Sequence, residues 1–389
     1  LIDTLMEKIY LDYAATTYVR DEVLEEMLPY FKEGFGNPSS LYESGRRAAG
    51  VLDAARKSMA KSLGAASKNE IHFTACGTES DNWALRGIME ANAKKGKHLV
   101  TTAAEHHAVL HAAGHLETLG YEVTVLPVDE YGAVSAEQVK NALRADTVLV
   151  SVIYANNEVG TVNPIREIGR VVREAGVLFH TDAVQAAGSI PLDVQKDWID
   201  LLSLSAHKFY GPKGVGALYV REGVKIAPLL YGGAQERKRR AGTENVPEIA
   251  GMAKALLLAV QEMDEEMRRI SLLRDYMMEK VRECLPRAVV NGHGTHRLPN
   301  NVNISLKGIE SEAALLSLDM AGIECSSGSA CTSGSLEPSH VLLAMGKPPE
   351  EVRSALRFTL GKTTTKEQID RVLGQLKELH CRADRLEEC

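Results

Sequence analysis

Between residues 23 and 254, short apolar β-rich segments alternate with stretches of helical length, and this alternation narrows the fold more than any other feature. EIHFT (70–74) precedes TESDNWALRGIMEANAKK, HLVTT (98–102) precedes HHAVLHAAGHLETLG, and YEVTVLPV (121–128) precedes SAEQVKNALR. TVLVSVIY (147–154) leads through a polar loop to PIREIGRVVREAG, and VLFHTD (177–182) follows. A strand covered on both faces reads as an unbroken apolar run, and helices between such runs supply the crossovers of βαβ units around a parallel sheet. Gly96, Gly120 and Gly176 punctuate helix ends. Past residue 246 the texture changes. A long helical stretch to about residue 283 leads into a second alternation: VVNG, NVNISL, SEAALLSLDMAG, IECSS and ALRFTLG. A closing helix, TKEQIDRVLGQLKELHCRADRLEE, has Thr365 as its expected N-cap. The expected fold class is α/β, with a large domain over 14–259 and a smaller domain formed by 1–13 and 260–389.

A chain of 389 residues is long enough for two such domains. Forty-five Lys and Arg against 52 Asp and Glu leave a net charge of −7, the wrong sign for a nucleic-acid binder. The basic run ERKRR (236–240) reads as a solvated loop. No apolar run reaches the length of a membrane helix. The opening LIDTLMEKIYLDYAATT lacks the basic and apolar blocks of a secretory signal. Six cysteines without a C-x-x-C pair fit free thiols in a reducing compartment, and no Cys/His spacing announces an intrinsic metal site. The expectation is a soluble cytoplasmic protein that binds neither nucleic acid nor membrane.

Ligands of α/β sheets sit beyond the carboxyl ends of strands, so the loops there carry the chemistry. Neither a dinucleotide fingerprint nor a nucleotide P-loop is present. In ACGTESDN (75–82), Gly77 and Thr78 stand at a strand-to-helix turn suited to a phosphate; an ordinary threonine N-cap is the alternative. Asp182 closes VLFHTD, where it can pair with a protonated heterocyclic nitrogen or cap a helix. Lys208 follows an apolar strand with Ser205 and His207 and precedes GPKGVG, a setting for a tight turn rather than a free surface. A lysine, an acid 26 residues before it and an upstream phosphate turn together match the needs of pyridoxal phosphate. Cys331 sits in SSGSACTSGSLEPSH, among small polar residues; this suits an accessible thiol nucleophile or a free cysteine at a loop tip.

These segments resemble the NifS/IscS-type cysteine desulfurases of the fold-type I, class V aminotransferase group. The resemblance runs from YLDYAATT (10–17) to LRFTLGKTTTKEQID (356–370) through FGNPSSLY, EHHAV, ANNEVGTVNPI, SAHKFYGPKGVG and RRAGTEN. It implies a mostly parallel seven-stranded sheet flanked by helices in the large domain, with the Cys331 loop carried by the small one. By the same resemblance, Lys208 is the Schiff-base lysine of pyridoxal 5′-phosphate, and His106 stacks on the ring and assists proton transfer. Asp182 pairs with the ring nitrogen and Gln185 meets the ring hydroxyl. Gly77, Thr78, Ser205 and His207 hold the phosphate, joined by Thr243 from a second subunit of a homodimer. Asn157 and Arg357 grip the substrate carboxylate, and Cys331 carries sulfur as a persulfide.

The implied reaction converts L-cysteine to L-alanine and hands sulfur to an acceptor such as an iron–sulfur scaffold, with Cys331 left open as a transient cluster ligand. A selenocysteine lyase, an aminotransferase and a non-catalytic sulfur-trafficking scaffold are the rival readings. The aminotransferase would not need Cys331, and the scaffold could dispense with Lys208 and Cys331. Cys325, six residues before Cys331, is not expected from the family; it could be a secondary thiol or a buried one.

Overall fold

The computed structural model describes residues 8–327 and 338–387. After a two-residue strand β1 (Ile9–Tyr10), the chain builds a seven-stranded sheet from β2 (Ile71–Thr74), β3 (His98–Thr102), β4 (Glu122–Leu126), β5 (Thr147–Ser151), β6 (Leu178–Asp182), β7 (Leu201–Ser205) and β8 (Gly216–Val220). Their spatial order is β2-β8-β7-β6-β5-β3-β4. Only β8 runs antiparallel to its neighbours, so the other six strands share one direction. Strands β3, β5, β7 and β8 are buried along their whole length, which explains why apolar residues do not alternate strictly with polar ones in them. Helices Glu43–Ser62 and Val246–Gln261 pack together in the core on one side of the sheet. Gly77–Ala91 and His107–Thr118 build a separate core with Leu99, Leu149 and Leu218.

The order reverses at β3: β4 lies on one side of it and β5 on the other. Connections leaving β3 and β5 therefore part in opposite directions and open a crevice at the strands' carboxyl ends, where ligands of such sheets bind. The turns after β2, β6 and β7 end on the same edge. That edge carries the candidate site.

The rest of the chain forms a second, antiparallel sheet from β9 (Ala288–Asn291), β10 (Asn301–Leu306), β12 (Ser326–Ser327) and β13 (Ala355–Thr359), in the order β12-β13-β10-β9. β11 (Ile323–Glu324) pairs in parallel with β1, tying the amino-terminal segment to this region. Its core gathers Ile9, Leu11, Ile304, Phe358 and Leu376. The helical stretch after residue 246 breaks into Val246–Gln261 and Met263–Cys284 at Glu262 (φ −96°, ψ 0°). No proline or glycine marks this break in the sequence. The carboxylate of Glu262 instead accepts from Arg20 and Lys362, contacts between segments far apart in the chain. The closing helix Lys366–Glu387 starts as expected: Thr365 Oγ1 accepts from Gln368 N–H, and Gln368 Oε1 accepts from Thr365 N–H. Among the described residues no helix is long and apolar enough to cross a membrane.

Candidate active site

Nine of the residues singled out from the sequence lie on the carboxyl-end edge of the large sheet or the turns leaving it, and they line one cavity: Gly77, Thr78, His106, Asn157, Asp182, Gln185, Ser205, His207 and Lys208. Lys208 closes the short 3₁₀ turn Ala206–Lys208 directly after β7. Its Nζ donates to the carbonyls of Ala14 (2.5 Å) and Ala15 (2.8 Å), so the amino-terminal YLDYAATT segment holds the amine at the cavity wall. The same Ala14 carbonyl accepts from Gln185 Nε2 at 3.0 Å.

Asp182 is the last residue of β6 and is 5% exposed. Burial pushes its carboxyl up to about 6, opposed by the Val184 N–H that Oδ1 accepts at 2.9 Å and by the charge of Lys208. His106 N-caps the His107–Thr118 helix by accepting Ala108 N–H at Nδ1, 3.1 Å away. Burial, then the nearby Lys208 charge, push His106 down to about 4. The ring is therefore neutral at pH 7. With Nδ1 occupied as an acceptor, its proton resides on Nε2.

The Gly77–Ala91 helix begins on the cavity floor with Cys76 as its N-cap and no side-chain capping bond. Thr78 is thus within the first turn, not a threonine N-cap, and the helix's leading N–H groups remain available to an anion. A Cβ on Gly77 would lie 2.8 Å from Val184 Cγ2, so only glycine leaves this approach open. His207, pushed down to about 4 by burial and then by Lys208, contacts Thr16 Oγ1 through Nδ1 at 3.1 Å.

Arg357 stands apart from this cavity lining. It projects from β13, is 1% exposed, and donates from Nη1 to the Asn157 carbonyl (3.1 Å) and from Nη2 to Asp12 Oδ1 (2.9 Å). Its Nε has no partner among the described residues. Thr243 lines a different cavity, with Thr74, Ala75, Arg240 and Glu244. Cys331 lies outside the described residues. Cys325 is partly buried, and burial pushes its thiol up to about 12.

Three residues at the site escaped the sequence reading. Asp12 is the counter-ion of Arg357 and also accepts from Ser326 Oγ at 2.7 Å. Glu105 orders the turn that presents His106: its Oε1 accepts from Thr102 Oγ1 and Ile153 N–H, both at 2.8 Å, and burial pushes it up to about 8. Asp81 lines the cavity, 1% exposed. The signal for Asp81 was its place in GTESDN, one helical turn after Gly77. The roles of Asp12 and Glu105 depend on Arg357 and on the Ile153 amide, 345 and 48 residues away in the chain.

Residues 9–372 match the family described as aminotransferase class-V. A protein of Methanosarcina thermophila named cysteine desulfurase IscS is 55% identical over 97% of this chain and 93% of its own length. One of the same name from Dictyoglomus turgidum is 52% identical over 96% and 95%. The chain belongs to the class-V aminotransferases, in their NifS/IscS-type cysteine desulfurase branch. Solved structures agree: a NifS-like protein superimposes with a TM-score of 0.90 at 39% identity, covering 96% of this chain and 99% of that one. The structure described as SspA in complex with cysteine has a TM-score of 0.80 at 36% identity, covering 90% and 98%.

The fold-type I sheet expected from the resemblance is therefore the one observed. Enzymes of this family use pyridoxal phosphate, and the donor set in the cavity fits that group. An uncapped helix start suits its phosphate, a buried carboxyl its ring nitrogen, a neutral imidazole its ring face, and a primary amine its aldehyde.

Proposed function

We propose that the protein is a pyridoxal-phosphate-dependent cysteine desulfurase that converts L-cysteine to L-alanine and passes the sulfur to Cys331 as a persulfide. The observation that carries this reading is the meeting of Lys208, Asp182, His106 and the Gly77–Thr78 helix start in one cavity. Relatives more than 50% identical bear the name cysteine desulfurase, and a structural relative is described in complex with cysteine. When bound, the cofactor supplies an aldehyde carbon for amines and a ring that withdraws electrons from the substrate's α-carbon.

The chain's own groups do the rest. The leading amides of the Gly77–Ala91 helix, with Thr78, Ser205 and His207, bind the phosphate. Asp182, ionised above about pH 6, holds the ring-nitrogen proton, and Gln185 faces the ring hydroxyl. Lys208 Nζ would supply the amine that meets the cofactor's aldehyde and would take up the α-proton of the substrate. His106 presents Nε2–H to the reacting group without carrying a charge that would compete with the ring. Asn157 and Arg357 receive the substrate carboxylate, with Nε of Arg357 offering an unengaged donor. Cys331 attacks the substrate sulfur as a thiolate, forming the S–S bond as the C–S bond breaks.

In this reading the working unit is a homodimer. Thr243 is exposed and lines a cavity other than the one that holds Lys208, which supports a role at a neighbour's phosphate. Leu24, Leu28, Phe31 and Phe35, 44–76% exposed, supply apolar surface for a second copy. Residues 14–259 act as the large domain, and 1–13 with 260–389 as the small one, a division supported by the β1–β11 pairing. The free thiols of Cys76, Cys284 and Cys325 suit a reducing cytoplasm, and the acceptor is a protein such as an iron–sulfur scaffold. The test is direct: the holoenzyme given L-cysteine and a thiol reductant should release alanine and sulfide in equal amounts. A keto acid in place of alanine would refute the reading.

A further inference from the structure

Asp81 is the cavity residue for which the reading above has no use. It sits on the second turn of the Gly77–Ala91 helix, fully enclosed, and its Oδ1 has no hydrogen-bond partner among the described residues. One oxygen of Asp81, one oxygen of Asp182 and one ring nitrogen of His106 lie within 4.8 Å of one another. Two carboxyl groups this close in an enclosure shielded from water do not both ionise, so one of them keeps a proton.

The surroundings decide which. Asp182 accepts the Val184 N–H and feels the Lys208 ammonium, and both favour its charged form. Asp81 has the Ser203 hydroxyl as its hydrogen-bond donor, from β7, and faces the acids Asp182 on β6 and Glu105 on the turn after β3. His180, also on β6, places Nε2 3.7 Å from Asp81 Oδ1. Burial pushes that ring down to about 3, so it brings no positive charge. His106 is neutral as well. Charge thus belongs on Asp182 and the proton on Asp81. A proton on the unpartnered Oδ1 would also give that atom a donor role in place of an unmet acceptor role.

We propose that Asp81 is a positioning residue that stays protonated and, as a hydrogen-bond donor behind Asp182, keeps that carboxylate ionised and aimed at the cofactor's ring nitrogen. The proposal rests on the ring-nitrogen role of Asp182 given above. It makes Asp81 and Asp182 a divided pair of chemically identical side chains, one neutral donor and one anion, separated only by what surrounds them.

The experiment measures the pyridoxal phosphate dissociation constant of the apo-protein across pH 5–8 by absorbance titration. In wild type the affinity falls on the acid side as Asp182 takes up a proton. Asp81→Asn keeps a neutral donor in the same place and should leave both affinity and midpoint unchanged. Asp81→Ala removes the donor, and the midpoint should rise by about one pH unit, weakening binding at neutral pH. If Asp81→Asn lowers the midpoint by a unit or more and tightens binding, Asp81 is ionised and the proposal is overturned. An unmoved midpoint in a folded Asp81→Ala protein overturns it too. Should the alanine variant not fold, the asparagine arm decides alone. In Asp182→Asn the acid-side loss should vanish. If it persists there, the ring-nitrogen reading of Asp182 fails and takes the proposal with it, whereas failure in the Asp81 arms alone leaves that reading intact.

Discussion

Adding a single methyl group at Gly77 tests the phosphate cradle without touching a charged residue. Gly77→Ala would place Cβ 2.8 Å from Val184 Cγ2 and 3.5 Å from Ser205 Cβ. Carbon atoms pack at about 3.5–4.0 Å, so the first contact must open by about 1 Å. Gly77 has no left-handed backbone conformation to protect, and alanine is the better helix former, so the apo-protein should still fold, with a stability loss limited to the overpacking, typically about 1–3 kcal/mol. The opening instead moves the helix start away from the Val184 and Ser205 turns that close the cradle. Losing one hydrogen bond to an ionised phosphate costs about 1.5–3 kcal/mol, which is about 10- to 150-fold in affinity. The assay is absorbance titration of apo-protein with pyridoxal phosphate, with thermal unfolding of the apo-protein as the stability control. Val184→Ala removes the obstructing methyl, so the Gly77→Ala, Val184→Ala double variant should recover most of the lost affinity. Unchanged or tighter cofactor binding in Gly77→Ala alone would refute the cradle, and a double variant as weak as the single one would refute the steric cause.

Lys208→Ala should abolish the yellow chromophore and turnover, and mixing it with Thr243→Ala subunits should restore cofactor binding at the dimer sites lacking both lesions; a fully active monomer in sedimentation would contradict this. Cys331→Ser should still change its spectrum on adding L-cysteine while alanine and sulfide fall to background, because a serine hydroxyl is a poor nucleophile toward sulfur. Cys325→Ser should be mild, since a thiol pushed up to about 12 is protonated at neutral pH; a persulfide mapped by mass spectrometry to Cys325 would reverse the assignment. Glu236→Ala should destabilise the protein by about 3–5 kcal/mol in denaturant unfolding by leaving buried Arg56 unpaired, while Lys57→Ala, at an exposed pair with Asp53, should cost under about 1 kcal/mol.

That basic run shows where local reading stops. ERKRR reads as a solvated loop, yet Glu236 is 4% exposed and paired with Arg56, and Arg240 forks onto Glu79 beside the phosphate turn. Glu236, Arg237 and Lys238 all take positive φ (45°, 57°, 65°), a strained run for residues with a Cβ. Sequence patterns report what neighbours in the chain do to one another. They are silent about a partner 180 residues away.

What the sequence determined on its own was whatever depends on periodicity and local chemistry. Unbroken apolar runs specify strands buried on both faces, which is why the alternation after residue 70 led to a parallel sheet with helices across it. The turn residues that follow those strands, Gly77, His106, Asp182 and Lys208, were legible because a parallel sheet sends every such turn to one edge. Their likeness to a known family supplied roles that spacing could not. Only the tertiary structure decided which groups share an enclosure, and so which are charged. Asp81 and Asp182 are the same side chain in the sequence; the Val184 amide and the Lys208 ammonium beside one of them make them different. Asp12 became the partner of Arg357 because β1 and β13, at opposite ends of the chain, are brought to one place. A charge's energy depends on its distance and its water, and neither is written along the chain.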